Sequence, residues 1–327
     1  MSKYSKQPMD LANLRTTRLA ARGGKVSAAQ FGSPYRKGAG MAAWFDSLPR
    51  ILAGEDFRKL VAAICAAREK RRAIVWGLGG HVIKCGLAPV LIDLMRRGFA
   101  TAFAMNGSSA IHDFEIALAG KTSEDVEAEL PDGRFGVAEE TGYEMNRAIA
   151  EGDTAGLGIG ESLGKWLVGQ VSRPAQPAGK EACPDASLLL QAYQAAAPVT
   201  VHVAIGTDSP HMHPAADGAA IGSASLRDFR LLCSLVSDMD GGGVYLNVGS
   251  AVVLPEVFLK AVSAVRNLGN PLADFTTANF DFIQHYRPRV NVVQRPHAAK
   301  GGAGYAITGH HELMIPLLAA ALIEKDA

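Results

Sequence analysis

The chain has 327 residues, 48% hydrophobic and 20% charged, and its 33 Lys and Arg against 32 Asp and Glu leave a formal net charge of +1. That length sustains a large core, in one α/β domain with decorations or in two smaller ones. The balanced charge, with no basic tail or stripe, argues against a nucleic-acid partner.

No run of about 18 uninterrupted apolar residues offers a membrane span. The polar start MSKYSKQPMDLANLRTTRL has no apolar stretch of the signal-peptide kind, so a soluble cytoplasmic protein is the expectation. Cys65, Cys85, Cys183 and Cys233 form no CxxC pair, which points to neither a disulfide framework nor a zinc knuckle.

Residues 1–45 read as a polar arm or cap, and 46–327 as a single domain. Asp46-Ser47-Leu48-Pro49 reads as a turn. Phe57, Leu60, Val61, Ile64 and Cys65 recur at helical spacing over Glu55–Arg68. Ala73–Trp76 is a short apolar run closed by Gly77-Leu78-Gly79-Gly80, hence a buried strand and a tight turn. Val82–Arg97 reads as one helix, and Phe99–Met105 as a second strand that ends in Asn106-Gly107-Ser108-Ser109. Ser108 or Ser109 is positioned to cap the helix that follows over Ile111–Ala119. Together these form a β-α-β unit with a polar, glycine-rich crevice at the carboxyl ends of its strands, where open α/β sheets bind ligands.

Ala138–Ala148 and Gly158–Val168 read as surface helices, Ser172–Asp185 as a dividing loop, and Ser187–Ala196 as a short helix. Val199–Ile205 is a β-branched strand ending in Gly206-Thr207-Asp208, with His202 packed inside it. His211 and His213 follow, close to Asp208 and Asp217; a metal site is conceivable there, but a third ligand at a diagnostic spacing is missing. Ser225–Ser237 is helical, and Gly241-Gly242-Gly243 leads into the strand Val244–Val248. A helix over Pro255–Val265, strands at Ala273–Thr277, Val290–Val293 and Tyr305–Thr308, and an apolar helix over Leu313–Leu322 complete the chain. The repeated strand, small turn and helix predict a doubly wound, mostly parallel Rossmann-like sheet with helices on both faces.

From Arg72 onward the order of these segments resembles the deoxyhypusine synthase family. The resemblance rests on the strand-turn-helix with Gly86, the Asn106–Phe114 turn, and the strand before Asp208. It also uses the Gly241-Gly242-Gly243 turn, the Thr276-Thr277-Ala278 strand end, and the terminal helix with Pro316-Leu317-Leu318. It implies NAD as cofactor, a polyamine or related small amine as substrate, aminobutyl transfer through an imine on an enzyme lysine, and a homotetramer with sites at subunit interfaces.

Carried over residue by residue, the resemblance puts the cofactor along Gly79, Gly80, His81, Asn106, Gly107, Asp208, Gly242, Gly243, Thr277 and Ala278. It makes Lys300 the imine-forming lysine, with Asn247 and His310 in the catalytic set. The residues around Lys300 give independent physical grounds, since Ala298, Ala299, Gly301 and Gly302 leave its amine open to desolvation. A lysine on a surface loop has the same neighbours.

The chain departs from the family at several of these positions. Gly80-His81 replaces a serine–asparagine pair, Asn247 a histidine, Ala299 a tryptophan and His310 an acid. Arg287, Arg289 and Arg295 gather positive charge near Lys300, which favours an anionic substrate unless they are solvated. His211, His213, His285, His297, His310 and His311 are candidates for acid–base steps, and Glu139 and Glu140 are weaker ones. An NAD-linked enzyme for an anionic substrate and a non-catalytic nucleotide-binding oligomer are the two competing readings.

Overall fold

The computed structural model describes residues 3–171, 181–298 and 301–325. Residues 3–39 are exposed almost throughout and hold only two short 3-10 turns. α1 (Gly40–Ser47) and α2 (Leu52–Glu69) lead to the first strand, β1 (Ile74–Leu78). α3 (Gly80–Lys84) and α4 (Ala88–Arg96) connect it to β2 (Ala102–Asn106). Five helices then separate β2 from β3 (Val199–His202): α5 (Gly107–Ala119), α6 (Val126–Glu129), α7 (Glu139–Thr154), α8 (Ile159–Val171) and α9 (Leu188–Gln194). α10 (Gly218–Ser237) leads to β4 (Gly243–Val248), and α11 (Val253–Asn267) to β5 (Phe275–Asp281). A π-helical stretch, Pro288–Gln294, precedes β6 (Ala303–Thr308) and the final helix α12 (His311–Glu324).

The six strands stand in the order β3-β2-β1-β4-β5-β6, and every neighbouring pair is parallel. Alternate side chains of β1 face opposite layers. Ile74, Trp76 and Leu78 join the core formed with α2, α4, α5 and α12, whereas Val75 joins the core of α10 and α11. Both faces are covered, so the strands read as nearly continuous apolar runs rather than alternating ones. This is the doubly wound Rossmann-like architecture.

Several boundaries differ from the sequence reading. The single helix expected over Val82–Arg97 is broken, because Gly86 takes a left-handed φ of +76° and Pro89 stands in the first turn of α4. Asp46 and Ser47 belong to α1 instead of a turn. Asn106, rather than Ser108 or Ser109, caps α5 by accepting from Ser109 N at 3.0 Å. The strand expected at Val290–Val293 is π-helical, with Val292 buried against the α11 side. β5 begins at Phe275 and runs on through Asp281, past the expected end at Thr277. Residues 172–180 of the dividing loop, together with Ala299 and Lys300, lie outside the described residues.

Two buried carboxylates tie the long β2–β3 insertion together and, through the second, to the sheet. Asp113 accepts from Ser187 Oγ at 2.6 Å, Leu188 N at 2.7 Å and Leu189 N at 2.9 Å, which anchors the start of α9. Asp228 accepts from Gly160 N at 3.0 Å and Val201 N at 2.8 Å, joining α10 to α8 and β3. Burial pushes Asp228 up to about 7 against the pull of those amides. Asp228→Ala would leave the amides without an acceptor in a dry site. We expect a loss of about 2–4 kcal/mol, read as a lower urea midpoint at unchanged slope.

Candidate functional site at the carboxyl edge of the sheet

The strand order reverses between β1 and β4, so the connections leaving these two neighbours diverge and open a crevice at their carboxyl ends. The crevice floor is packed backbone. Gly79 N donates to the Val248 carbonyl at 2.8 Å, and a Cβ on Gly79 would collide with the Gly249 carbonyl. A Cβ on Gly80 would meet Ser108 Oγ at 2.5 Å. Both glycines are therefore required by close packing of protein on protein.

The two helix starts at this edge differ. α5 is capped: Asn106 Oδ1 accepts from Ser109 N, and Ser108 Oγ and Ser109 Oγ lie 3.1 and 2.7 Å from it. The Asp208 carboxylate also lies against Gly107, the first residue of α5. α3 has Gly79 as its N-cap and no side-chain cap; Val82 N donates to the Gly79 carbonyl at 3.1 Å, which leaves the Gly80 and His81 amides as the donors at this edge. Asp208 receives Ala204 N at 3.3 Å, and burial holds its carboxyl above the usual range. The edge thus offers amide donors after β1 and a carboxylate acceptor beside the end of β2. This donor and acceptor set fits the pyrophosphate and a ribose hydroxyl of a dinucleotide.

A cavity of about 690 Å³ lies alongside, between α5, α7 and α8. Among the described residues, Glu115, Glu124, Glu140 and Glu144 line it with Lys121, and Leu118, Trp166 and Leu167 give apolar surface. His112 joins cavity and crevice. Its ring lies 3.3 Å from the position of a Cβ on Gly80, while its Nδ1 is 2.7 Å from Thr122 Oγ1, whose hydroxyl donates to Glu115. Thr141 Oγ1 donates to the same carboxylate at 3.1 Å. Burial, followed by the Lys84 charge, lowers His112 to about 4.

The edge gathers Gly79, Gly80, His81, Asn106, Gly107, Asp208 and His310 but not the other expected cofactor residues. Gly242 and Gly243 sit at the amino end of β4, where Gly242 N donates to Asp274 O at 2.7 Å and Gly243 N to Met239 O at 2.7 Å. The triple glycine serves the turn from α10 into β4, with φ of +87° at Gly241 and +114° at Gly242. Thr277 and Ala278 are fully buried inside β5, and Thr277 Oγ1 donates to the Val292 carbonyl at 2.7 Å. Asn247 is also fully buried, its amide donating to Ser250 O at 2.9 Å and Asn279 Oδ1 at 2.7 Å. It shapes the loop after β4 and has no exposed surface to offer a substrate. His310 is exposed at the start of α12, stacked on Phe282 at 5.8 Å. Lys300 lies outside the described residues.

Other sequence candidates separate. His213 turns to Glu139 at 3.6 Å and Tyr143, and its ligand atoms form no metal group with Asp208 and His211 among the described residues. His202 is buried 3.0 Å from Thr200 Oγ1. Arg287 pairs with Glu256 at 3.3 Å and Arg295 donates to Asn291 Oδ1 at 2.8 Å, so both are engaged within the protein. Sequence reasoning missed His112, Glu115 and the Cys85–Glu312 contact. Only the polar positions of His112 and Glu115, which share the segment IHDFEIALA with Asp113, signalled the first two.

No family model matches the chain, and no curated protein matches it. Among solved structures, a conserved protein from Methanococcus maripaludis S2 described as LOR/SDH is similar at a TM-score of 0.50 and 15% identity, over 83% of this chain and 70% of that one. AgrE in a ternary complex with ornithine and NAD+ is similar at 0.50 and 15%, over 83% of this chain; the chain spans only 33% of AgrE. A protein from Entamoeba histolytica described as a deoxyhypusine synthase gives 0.49 and 11%, over 90% and 96% of the two chains. The two likenesses at a TM-score of 0.50 show the fold.

The lowered His112 has a stability consequence. A neutral imidazole that must protonate on unfolding removes stability as pH falls from about 6.5 towards 4. In urea titrations across that window, His112→Gln should remove up to about 3 kcal/mol of the wild-type loss, with little difference between the two proteins above pH 7.

Proposed function

We propose that the chain is an NAD-linked enzyme acting on a small cationic amine. The observation that carries the reading is the switch-point crevice, where uncapped amides after β1 stand opposite the Asp208 carboxylate at the end of β2. On this reading the α3 amides bind the pyrophosphate and Asp208 accepts from a ribose hydroxyl. NAD+, when bound, supplies a hydride acceptor. The carboxylates of the neighbouring cavity hold an ammonium group, and its apolar wall takes the carbon chain. The structure of AgrE with ornithine and NAD+, on a similar scaffold, supports the pairing of this cofactor with an amine.

The finer form of the proposal is transfer through an imine on Lys300, in the manner of the deoxyhypusine synthase family, by a homotetramer. There the Lys300 amine displaces the substrate's own nitrogen from the oxidised carbon, one C–N bond forming as another breaks. The alternative of an anionic substrate is the weaker one, because Arg287 and Arg295 are already engaged and the cavity is acidic.

Calorimetric titration with NAD+ tests the cofactor assignment. Asp208→Asn should weaken binding at least tenfold, about 1.4 kcal/mol, and equal affinity would contradict the role of Asp208. Borohydride trapping with NAD+ and a panel of polyamines and diamino acids tests the transfer. A mass adduct on Lys300, absent in Lys300→Ala, is the expected result. NAD+ binding with no amine turned over would instead favour a nucleotide-binding oligomer without catalysis.

A further inference from the structure

At the mouth of the same crevice, three side chains from two helices converge in a way the reading above does not use. His81 and Cys85 stand four residues apart along α3 and its C-cap, so one helical turn puts both on the same side. Glu312, in the first turn of α12, faces them. One ligand atom from each of His81, Cys85 and Glu312 lies within 4.8 Å of the other two, and no other group of three or more His, Cys, Asp or Glu side chains does this among the described residues. Cys85 Sγ is already 3.8 Å from Glu312 Oε2. Two ligands of a tetrahedral zinc ion, with Zn–S of about 2.3 Å and Zn–O of about 2.0 Å, stand about 3.5 Å apart. The thiol–carboxylate pair therefore needs only a few tenths of an ångström of closure, and the imidazole at most about 1.5 Å, within reach of an exposed side chain.

We propose that His81, Cys85 and Glu312 form a site for a zinc-class divalent ion that clips α3 to the start of α12. The donor chemistry selects the metal: imidazole and thiolate suit Zn2+ or Co2+, whereas Mg2+ and Ca2+ call for oxygen ligands alone. Three protein ligands leave a fourth tetrahedral position for water or a substrate group, the arrangement of sites that do chemistry. The surroundings suit the ion. Phe282 stands beside the His81 ring at 6.3 Å, with His311 at 5.6 Å, giving the ligand ring fixed neighbours. His310 Nδ1 lies 3.9 Å from Glu312 Oε1, the oxygen other than the one near Cys85. Lys84 is the opposing charge, adjacent in the chain to Cys85, and a cation in the site would repel it outward into solvent. On binding, the metal–sulfur bond replaces the S–H bond and the thiol proton leaves to solvent. The site stands independently of the NAD reading, because it uses side chains while that reading uses the α3 backbone and Asp208.

Cobalt titration of the reduced, chelator-treated protein tests this without any enzyme assay. We expect one equivalent of Co2+ to bind with a thiolate-to-cobalt charge-transfer band that Zn2+ abolishes by displacement. Cys85→Ser should remove the band. Glu312→Gln and His81→Ala, both at exposed positions that the fold tolerates, should each weaken binding at least tenfold. Cys183→Ser should bind as the wild type does. Absence of the band, its survival in Cys85→Ser, or its loss in Cys183→Ser would overturn the assignment, as would unchanged affinity in both the Glu312 and His81 variants.

Discussion

The contact on which the rest of the carboxyl edge depends is the abutment of two backbones, Gly79 after β1 and Gly249 after β4. The Gly79 amide donates to Val248, and no side chain fits between the two loops. This closeness sets the start of α3 directly over the switch point and fixes where its amides face. It also sets Gly249, in a left-handed conformation at φ +66°, close beneath the His311 ring, so α12 enters at a defined height. Enlarging either glycine would move α3 and α12 apart, and with them every polar group at the crevice mouth.

A buried polar layer holds the other side of that edge. Asn247 links β4 to Asn279 of β5, Asn279 Nδ2 donates to Gln284 Oε1 at 2.8 Å, and Gln284 Nε2 donates to the Ile307 carbonyl of β6 at 3.1 Å. His311 Nε2 stands 3.1 Å from the Phe280 carbonyl, which assigns its proton to Nε2 and leaves Nδ1 buried as a bare acceptor. These residues look catalytic in a sequence because they are polar and lie near strand ends. Their hydrogen bonds tie the loop after β4, the turn after β5 and the start of α12 to one another and to strand carbonyls at the sheet's edge. The cavity beside α5 has exposed or half-buried carboxylates and a direct link to the crevice through His112, and the proposed function assigns the ammonium group to it.

Much of the fold was legible because parallel strands covered on both faces carry uninterrupted apolar runs: VTV before His202, VYL before Asn247 and AIVW before Gly77 each stand out from polar turns. Strand ends were less legible. FTTANFD contains four polar residues against three apolar ones, and only the structure shows Thr277 and Asn279 bonded to the segments that follow the strand. The same limit explains the triple glycine. A run of glycines signals close approach, but the sequence does not say at which end of a strand the approach occurs, and here it is the amino end, remote from the crevice. The site was legible where a turn directly follows a strand, as at Gly79–His81 and Asn106–Gly107. It was hidden where residues meet across elements, as when Asp208 reaches Gly107 or Cys85 meets Glu312.

The central claim is that ligand chemistry takes place at the carboxyl edge between β1 and β4, with NAD+ across the start of α3. Hydrogen–deuterium exchange with and without NAD+ tests it most directly. The account predicts slowed exchange at residues 79–85, 106–109 and 204–211, with no change at 240–244 on the amino edge. Protection confined to 240–244, or no protection anywhere at saturating NAD+, would contradict it.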